Sequence, residues 1–339
     1  MLDNFIIKNK PYGIFVLSGL FVICLLFSIH VNGQQRAQFS QYMINPYVFN
    51  PAFGGTEDFT DITLGFRSQW SGFEGAPNTI YATAHTALGK EFSNSHGHHK
   101  GEHKGWHGVG GYVYGDYTGP TSRSGAMVSY SYNLPLARKI RMSMGVFVGL
   151  QQFAFKSEGL VLKHESDGTL TTDQSRIIPD ADVGVMIYSK DFFVGLTTQQ
   201  LMQPGVLTSG AFETVAGGNS VLNRHLMFQG GWNVPVGYDY TLVPQVMLKY
   251  VAGAPASIDF TVMFKQKESD FFGGVSLRNY NALVGIVGVT LTHKWAISYS
   301  YDMTFSTIRR YSYGSHELVL SYKLAHKNNL TCPSRFWSH

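Results

Sequence analysis

The chain has 339 residues and a formal net charge of +4, and only 14% of its residues are charged, against 14% aromatic. A soluble globular domain carries about a quarter charged residues, so a surface solvated by water alone is excluded and much of this one must meet something else. Glycine is abundant at 37 residues, and the 19 tyrosines and 24 phenylalanines suit closely packed strands with aromatic girdles better than helices.

The first 33 residues carry Lys8 and Lys10, an apolar run from Ile14 to Ile29, and small residues Val31 and Gly33 before Gln34. This order is that of a cleaved signal peptide spanning 1–33, with an N-terminal membrane anchor as the alternative. Cys24 invites a lipoprotein reading, but Phe21, Val22 and Ile23 offer no small residue ahead of it. After cleavage Cys332 is the one cysteine left, so no disulfide is expected to stabilise the exported chain.

Residues 34–60 form a separate lead segment. Asn45-Pro46 and Asn50-Pro51 recur five residues apart, and each proline removes a backbone donor and holds its predecessor extended. Such a stretch is no regular strand. It is expected to be periplasmic or to enter a lumen, with Tyr42, Tyr47, Phe49 and Phe53 available for packing, either as a strap that seals a barrel or as a docking surface.

From 61 to 325 the pattern changes to two-residue alternation. No apolar run reaches the roughly 20 residues of a spanning helix. Ile258, Phe260, Val262 and Phe264 alternate with Asp259, Thr261, Met263 and Lys265, and Trp295, Ile297, Tyr299 and Tyr301 alternate with Ala296, Ser298, Ser300 and Asp302. A strand sends successive side chains to opposite faces, so one face is apolar and the other is mostly small and polar. About fourteen such segments begin near Ile62, Ile80, Val109, Ala126, Ile140, Val183, Phe192, Leu226, Leu242, Ile258, Phe271, Ala282, Trp295 and Leu318. The predicted fold is therefore an all-β, antiparallel transmembrane outer-membrane β-barrel of about 14 strands, with both termini periplasmic and a periplasmic tail at 326–339.

Connection lengths support this orientation. Long connections near 156–178, 200–223 and 303–313 follow odd-numbered segments, and tight ones near 189–191, 237–239, 266–270 and 292–294 follow even ones. Barrels of this class keep short turns inside and long loops outside. The stretch from Gly89 to Lys104 breaks the rule, being long yet on the inner side.

Trp70, Gly72, Phe73, Gly75 and Pro77, beside Gln69, sit at the first outer turn and predict a tight, aromatic-capped hairpin or a surface that grips a partner. Gly314, Ser315, His316 and Glu317 open the last strand, where His316 and Glu317 are expected to pair in the lumen and fix register. His96, His98, His99, His103 and His107 have metal-ligand composition, but their loose spacing in a Gly/Ser/Lys-rich loop reads as solvated. No nucleophile with its base and no phosphate-binding loop is recognisable, so no enzyme, cofactor or metal is expected. Arg309 and Arg310 read as a solvated or lipopolysaccharide-facing pair, with no nucleic acid partner.

The segment QFSQYMINPYVFNPAFGG (38–55), followed by FRSQWSGFEGAPNT (66–79), resembles the start of the PorP/SprF family of Bacteroidota type IX secretion membrane proteins. GVGGYVYGDYTGP (108–120), PDADVGVMIY (179–188), YSYDMTFSTI (299–308) and GSHELVLSY (314–322) follow in the family's order. The resemblance implies an outer-membrane barrel that exports or retains large adhesin-like proteins, recognised by their C-terminal sorting domain, with gliding motility among the processes implied. A second branch of the family implies attachment to core machinery through periplasmic peptidoglycan-binding or lipoprotein components. Barrel architecture alone leaves open a passive porin or small-molecule channel.

Overall fold

The computed structural model describes residues 37–89, 104–157, 173–202, 223–252, 254–266, 269–279, 281–292 and 294–324. The signal-peptide stretch, the histidines at 96–103, the tail 326–339 and Cys332 lie outside the described residues.

Alternation becomes fifteen strands: β1 (Thr60–Ser68), β2 (Asn78–Leu88), β3 (Trp106–Thr118), β4 (Thr121–Ala137), β5 (Ile140–Phe155), β6 (Gln174–Tyr188), β7 (Phe192–Gln199), β8 (His225–Trp232), β9 (Val234–Val236), β10 (Tyr240–Val251), β11 (Ser257–Gln266), β12 (Phe271–Arg278), β13 (Ala282–Leu291), β14 (Trp295–Thr304) and β15 (Ser315–Leu324). β8 and β9 are one strand interrupted at Asn233, since Gly231 opposite Gln245 and Val234 opposite Leu242 keep a single register on β10. Each strand pairs antiparallel with its sequence neighbour, and β1 pairs with β15 from Thr60 opposite Leu324 to Ser68 opposite His316. The result is a closed 14-strand barrel, which leaves no open edge. Among the described residues no helix is long and apolar enough to cross a membrane.

All fourteen expected segments are strands. Phe260, Phe264, Trp295, Tyr299, Tyr301 and Leu318 are exposed on the outer wall, while Asp259, Thr261, Ser298, Ser300, Asp302 and Glu317 are buried inside. The apolar face thus points outward, as lipid requires. The β2–β3 connection does lie at the end that carries the short turns, so the strand count holds there. β4, β5 and β6 have 17, 16 and 15 residues, well beyond the roughly 9–11 that a tilted spanning strand needs. They form a high wall at the long-loop end.

The lumen is filled by the lead segment. Residues 39–58 are buried throughout, and two 3-10 turns, Pro46–Val48 and Pro51–Phe53, start at the two prolines. Asn45 and Asn50 stand just before those turns, and the Asn50 side chain accepts from the Ala52 amide at 2.9 Å. Phe39, Tyr42, Met43, Ile44, Val48 and Phe49 pack with inward Tyr81, Met227, Val243, Met247 and Met263. Tyr47, Ala52 and Phe53 pack with Tyr112, Met127, Phe147, Met186 and Phe193. Flexible methionines suit such an irregular interior. Glycines on the wall make room: a Cβ on Gly184 would lie 2.0 Å from Asn50 Oδ1, and one on Gly145 2.5 Å from the Pro51 carbonyl carbon.

The segment crosses the barrel from end to end. Phe39 O accepts from Arg278 at the end of β12, and Gly55 O accepts from Trp106 Nε1 at the start of β3. The described chain therefore enters the lumen at the long-loop end and leaves it at the short-turn end, where β1 begins. Leu324, the last described residue, lies at that second end. The expectation of two periplasmic termini concerns residues outside the described set, but Ala37, where the description begins, is at the opposite end from Leu324.

Candidate functional site

Four strands deliver charge to one level just below the long-loop end. The inward positions of β1, β12, β14 and β15 there are Arg67, Arg278, Asp302 and Glu317. Arg67 Nη2 lies 2.8 Å and Arg278 Nη1 2.9 Å from Asp302 Oδ2, and Arg67 Nη1 lies 3.2 Å from Glu317 Oε2. Two cations balance two anions, which is the condition for burying them. The lead segment completes the set. The Ser40 amide donates to Glu317 Oε2 at 2.6 Å, the Gln41 amide to Oε1 at 3.3 Å, and Ser40 Oγ to both Asp302 oxygens at 2.7 Å. Arg67 also donates to Ser40 Oγ. Lys249 and Asp259 form a second, part-buried pair at 2.7 Å.

Above this floor lies a vestibule of about 530 Å³, reached by Ala37 and Gln38 and lined by Gln69, Trp70, Pro77 and Ser315 among others. Barrel closure joins the two motifs that open and close the barrel sequence. Trp70 N donates to Ser315 Oγ at 3.0 Å, Ser71 N to Gly314 O at 2.8 Å, and Tyr313 N to Ser71 O at 2.8 Å. Gln69 N donates to Pro77 O at 2.9 Å, which closes the 69–77 turn. Gly72 has φ +90° and would place a Cβ 2.6 Å from the Tyr313 ring, so both the backbone and the space demand glycine. Gly314 likewise has φ +95°.

The sequence-predicted residues thus fall into two groups. Gln69, Trp70, Gly72, Pro77, Gly314 and Ser315 come together at the vestibule rim. Asn45, Pro46, Asn50 and Pro51 lie deep in the lumen, where they shape the plug and are not exposed for docking.

The expected His316–Glu317 pair does not form. Neighbours in a strand point to opposite faces, so Glu317 enters the lumen while His316 stands on the outer wall, its Nδ1 2.6 Å from the Tyr299 hydroxyl. Arg67 and Asp302 were not singled out from the sequence. Counting two-residue steps from the same barrel end on β1, β12, β14 and β15 is the signal that finds them. Among the described residues no group of three metal-ligating side chains converges.

The sequence pattern of the family described as "Type IX secretion system membrane protein PorP/SprF" matches residues 31–322. No protein with a curated description matches the sequence. Similar solved structures include the Ralstonia pickettii toluene transporter TbuX, at 10% identity and a TM-score of 0.49, covering 88% of this chain and 97% of that one. A Pseudomonas aeruginosa FadL homologue has 10% identity and a TM-score of 0.45, covering 87% and 96%. The P. putida toluene transporter TodX has 8% identity and a TM-score of 0.44, covering 86% and 95%. At such values nothing about ligand or activity passes from them to this chain.

Proposed function

Because the chain belongs to the type IX secretion system membrane protein PorP/SprF family, we propose that its long-loop face holds a large exported, adhesin-like protein at the cell surface through that protein's C-terminal sorting domain. The outer-membrane barrel fold provides the anchor, and the long connections face outward by the usual asymmetry of such barrels.

The observation that carries this reading is the filled lumen. Residues 39–58 are buried inside the barrel and are bonded to the wall along its length, at Thr261, Thr83, Ser129, Gln199 and Ser131. A passive channel needs an open path past unpaired charge, whereas this lumen is filled by residues 39–58 and its inward charges are tied up in ion pairs with one another. Binding energy is left to the rim, where the 69–77 turn and the 313–315 segment are locked together. Surface loops on a rigid scaffold are where recognition is usually placed.

Deleting the gene and comparing proteins of the envelope and the medium tests the proposal. One or a few large surface proteins are expected to disappear from the envelope. An unchanged surface proteome with altered uptake of small solutes would overturn it in favour of a channel.

A further inference from the structure

The vestibule has the chemistry of a ligand site as well as the position of a mouth. Its volume of about 530 Å³ falls within the range of roughly 300–1,000 Å³ typical of small-ligand pockets. The charges at its floor are matched among themselves. Asp302 is shared by Arg67 and Arg278, and Asp116 accepts from Thr79 at 2.7 Å and stands opposite Arg123 in register.

What is left uncommitted is neutral. Among the described residues, the side chains of Gln69, Ser122, Asn279, Asn281, Thr304 and Ser306 line the space without a hydrogen-bond partner. They come from four separate stretches of chain and converge on one volume. Trp70 adds an aromatic side chain to the lining, and so does Phe153, whose ring lies under the Arg123 guanidinium at 5.8 Å.

The site is also held rigid at some cost. Trp70, in the lining, has φ of +51°, a region that a bulky side chain rarely adopts, and Asn279, also in the lining, has φ of +42°, which asparagine takes more readily. Backbone strain persists only where its surroundings fix it, and it gathers at binding sites. Here the Trp70 amide is fixed by Ser315, and the Asn279 amide by Ile258 O at 2.7 Å.

We propose that the vestibule binds a neutral saccharide unit. Sugars carry many uncharged hydroxyls for amide and hydroxyl side chains, and C–H faces for aromatic rings. An extended peptide would need backbone partners from a strand edge, and the closed wall offers none. A charged ligand at the floor would have to displace the Asp302 ion pairs already made. Either a lipopolysaccharide or a glycan on an exported protein presents this chemistry at that face.

The test uses the full-length barrel in detergent, titrated with glucose, galactose, mannose, N-acetylglucosamine and their disaccharides, and followed by tryptophan fluorescence and calorimetry. Saturable binding of at least one sugar is expected. Trp70→Phe should remove the fluorescence change, and Gln69→Ala with Asn281→Ala should weaken binding roughly tenfold or more while the folded gel band stays unchanged. Delipidated lipopolysaccharide polysaccharide and glycans released from secreted proteins then serve as competing probes, and the stronger competitor identifies the source. No saturable response at tens of millimolar, or binding indifferent to the double variant, or capture of neutral peptides with no capture of sugar, would overturn the inference. Loss of surface proteins on gene deletion bears on the secretion reading alone, so the two fail separately.

Discussion

Arg67 and Glu317 stand directly opposite each other across the seam where the first and last strands close the barrel, with Nη1 3.2 Å from Oε2. The same carboxylate accepts the amides of Ser40 and Gln41, so one side chain ties both seam strands to the segment inside. Truncating one member of a buried pair strands the other charge, at a cost of about 3–5 kcal/mol. Glu317→Ala is expected to lower markedly the temperature at which the folded gel band is lost. Glu317→Gln keeps acceptor capacity for the Ser40 amide and should lose less. A Glu317→Ala barrel as heat-resistant as the native one would contradict this account of the seam.

The plug depends on wall glycines. A Cβ at Gly145 would meet the backbone of Pro51 at 2.5 Å, and backbone cannot swing aside as a side chain can. Gly145→Val is therefore expected to dislodge the second 3-10 turn while leaving strand pairing on the outer wall in place. In planar bilayers the native protein should show no large steady conductance steps, and both Gly145→Val and a deletion of 39–58 should produce them. Large stable steps from the native protein would show an open path.

Strand positions were legible because lipid outside and a packed interior inside force a period of two on Phe260, Thr261, Val262 and Met263, a period that no helix shares. The parity of connection lengths gave the ends. The path of 39–59 was not legible, since the Asn-Pro pairs announce two turns but carry no periodicity that tells which way a chain threads a lumen. Nor was the ion cluster, because Arg67, Arg278, Asp302 and Glu317 are far apart in sequence and meet only once the seam closes. The His316–Glu317 expectation failed on the very alternation that placed the strands.

The hook between the two rim segments predicts a local effect. Ser315 Oγ is the acceptor for the Trp70 amide, and a single neutral hydrogen bond contributes about 1 kcal/mol net. Ser315→Ala should leave the barrel's melting nearly unchanged but speed proteolytic cutting within 69–77, where Trp70 is held at φ +51°. Cutting at the native rate would mean that the Ser71 bonds to Tyr313 and Gly314 suffice on their own.

At the base of the β5–β6 connection, Asp173 Oδ1 accepts from both the amide and the hydroxyl of Ser157 at 2.8 Å. The amide bond, and then the hydroxyl bond, hold this carboxyl below the usual carboxylate range. A carboxylate whose pKa is lowered by folding contributes stability above its unfolded value and loses it as pH falls through the lowered one. The clasp is therefore intact at neutral pH and opens only in acid. Protection of the Ser157 amide from hydrogen exchange, corrected for intrinsic rates, should fall across that acid window. Asp173→Asn removes the charge at every pH and should show reduced protection at pH 7 with little further change on acidification. Protection in the asparagine variant equal to the native protein at neutral pH would mean that the ionised carboxylate is not what holds the two ends of this connection together.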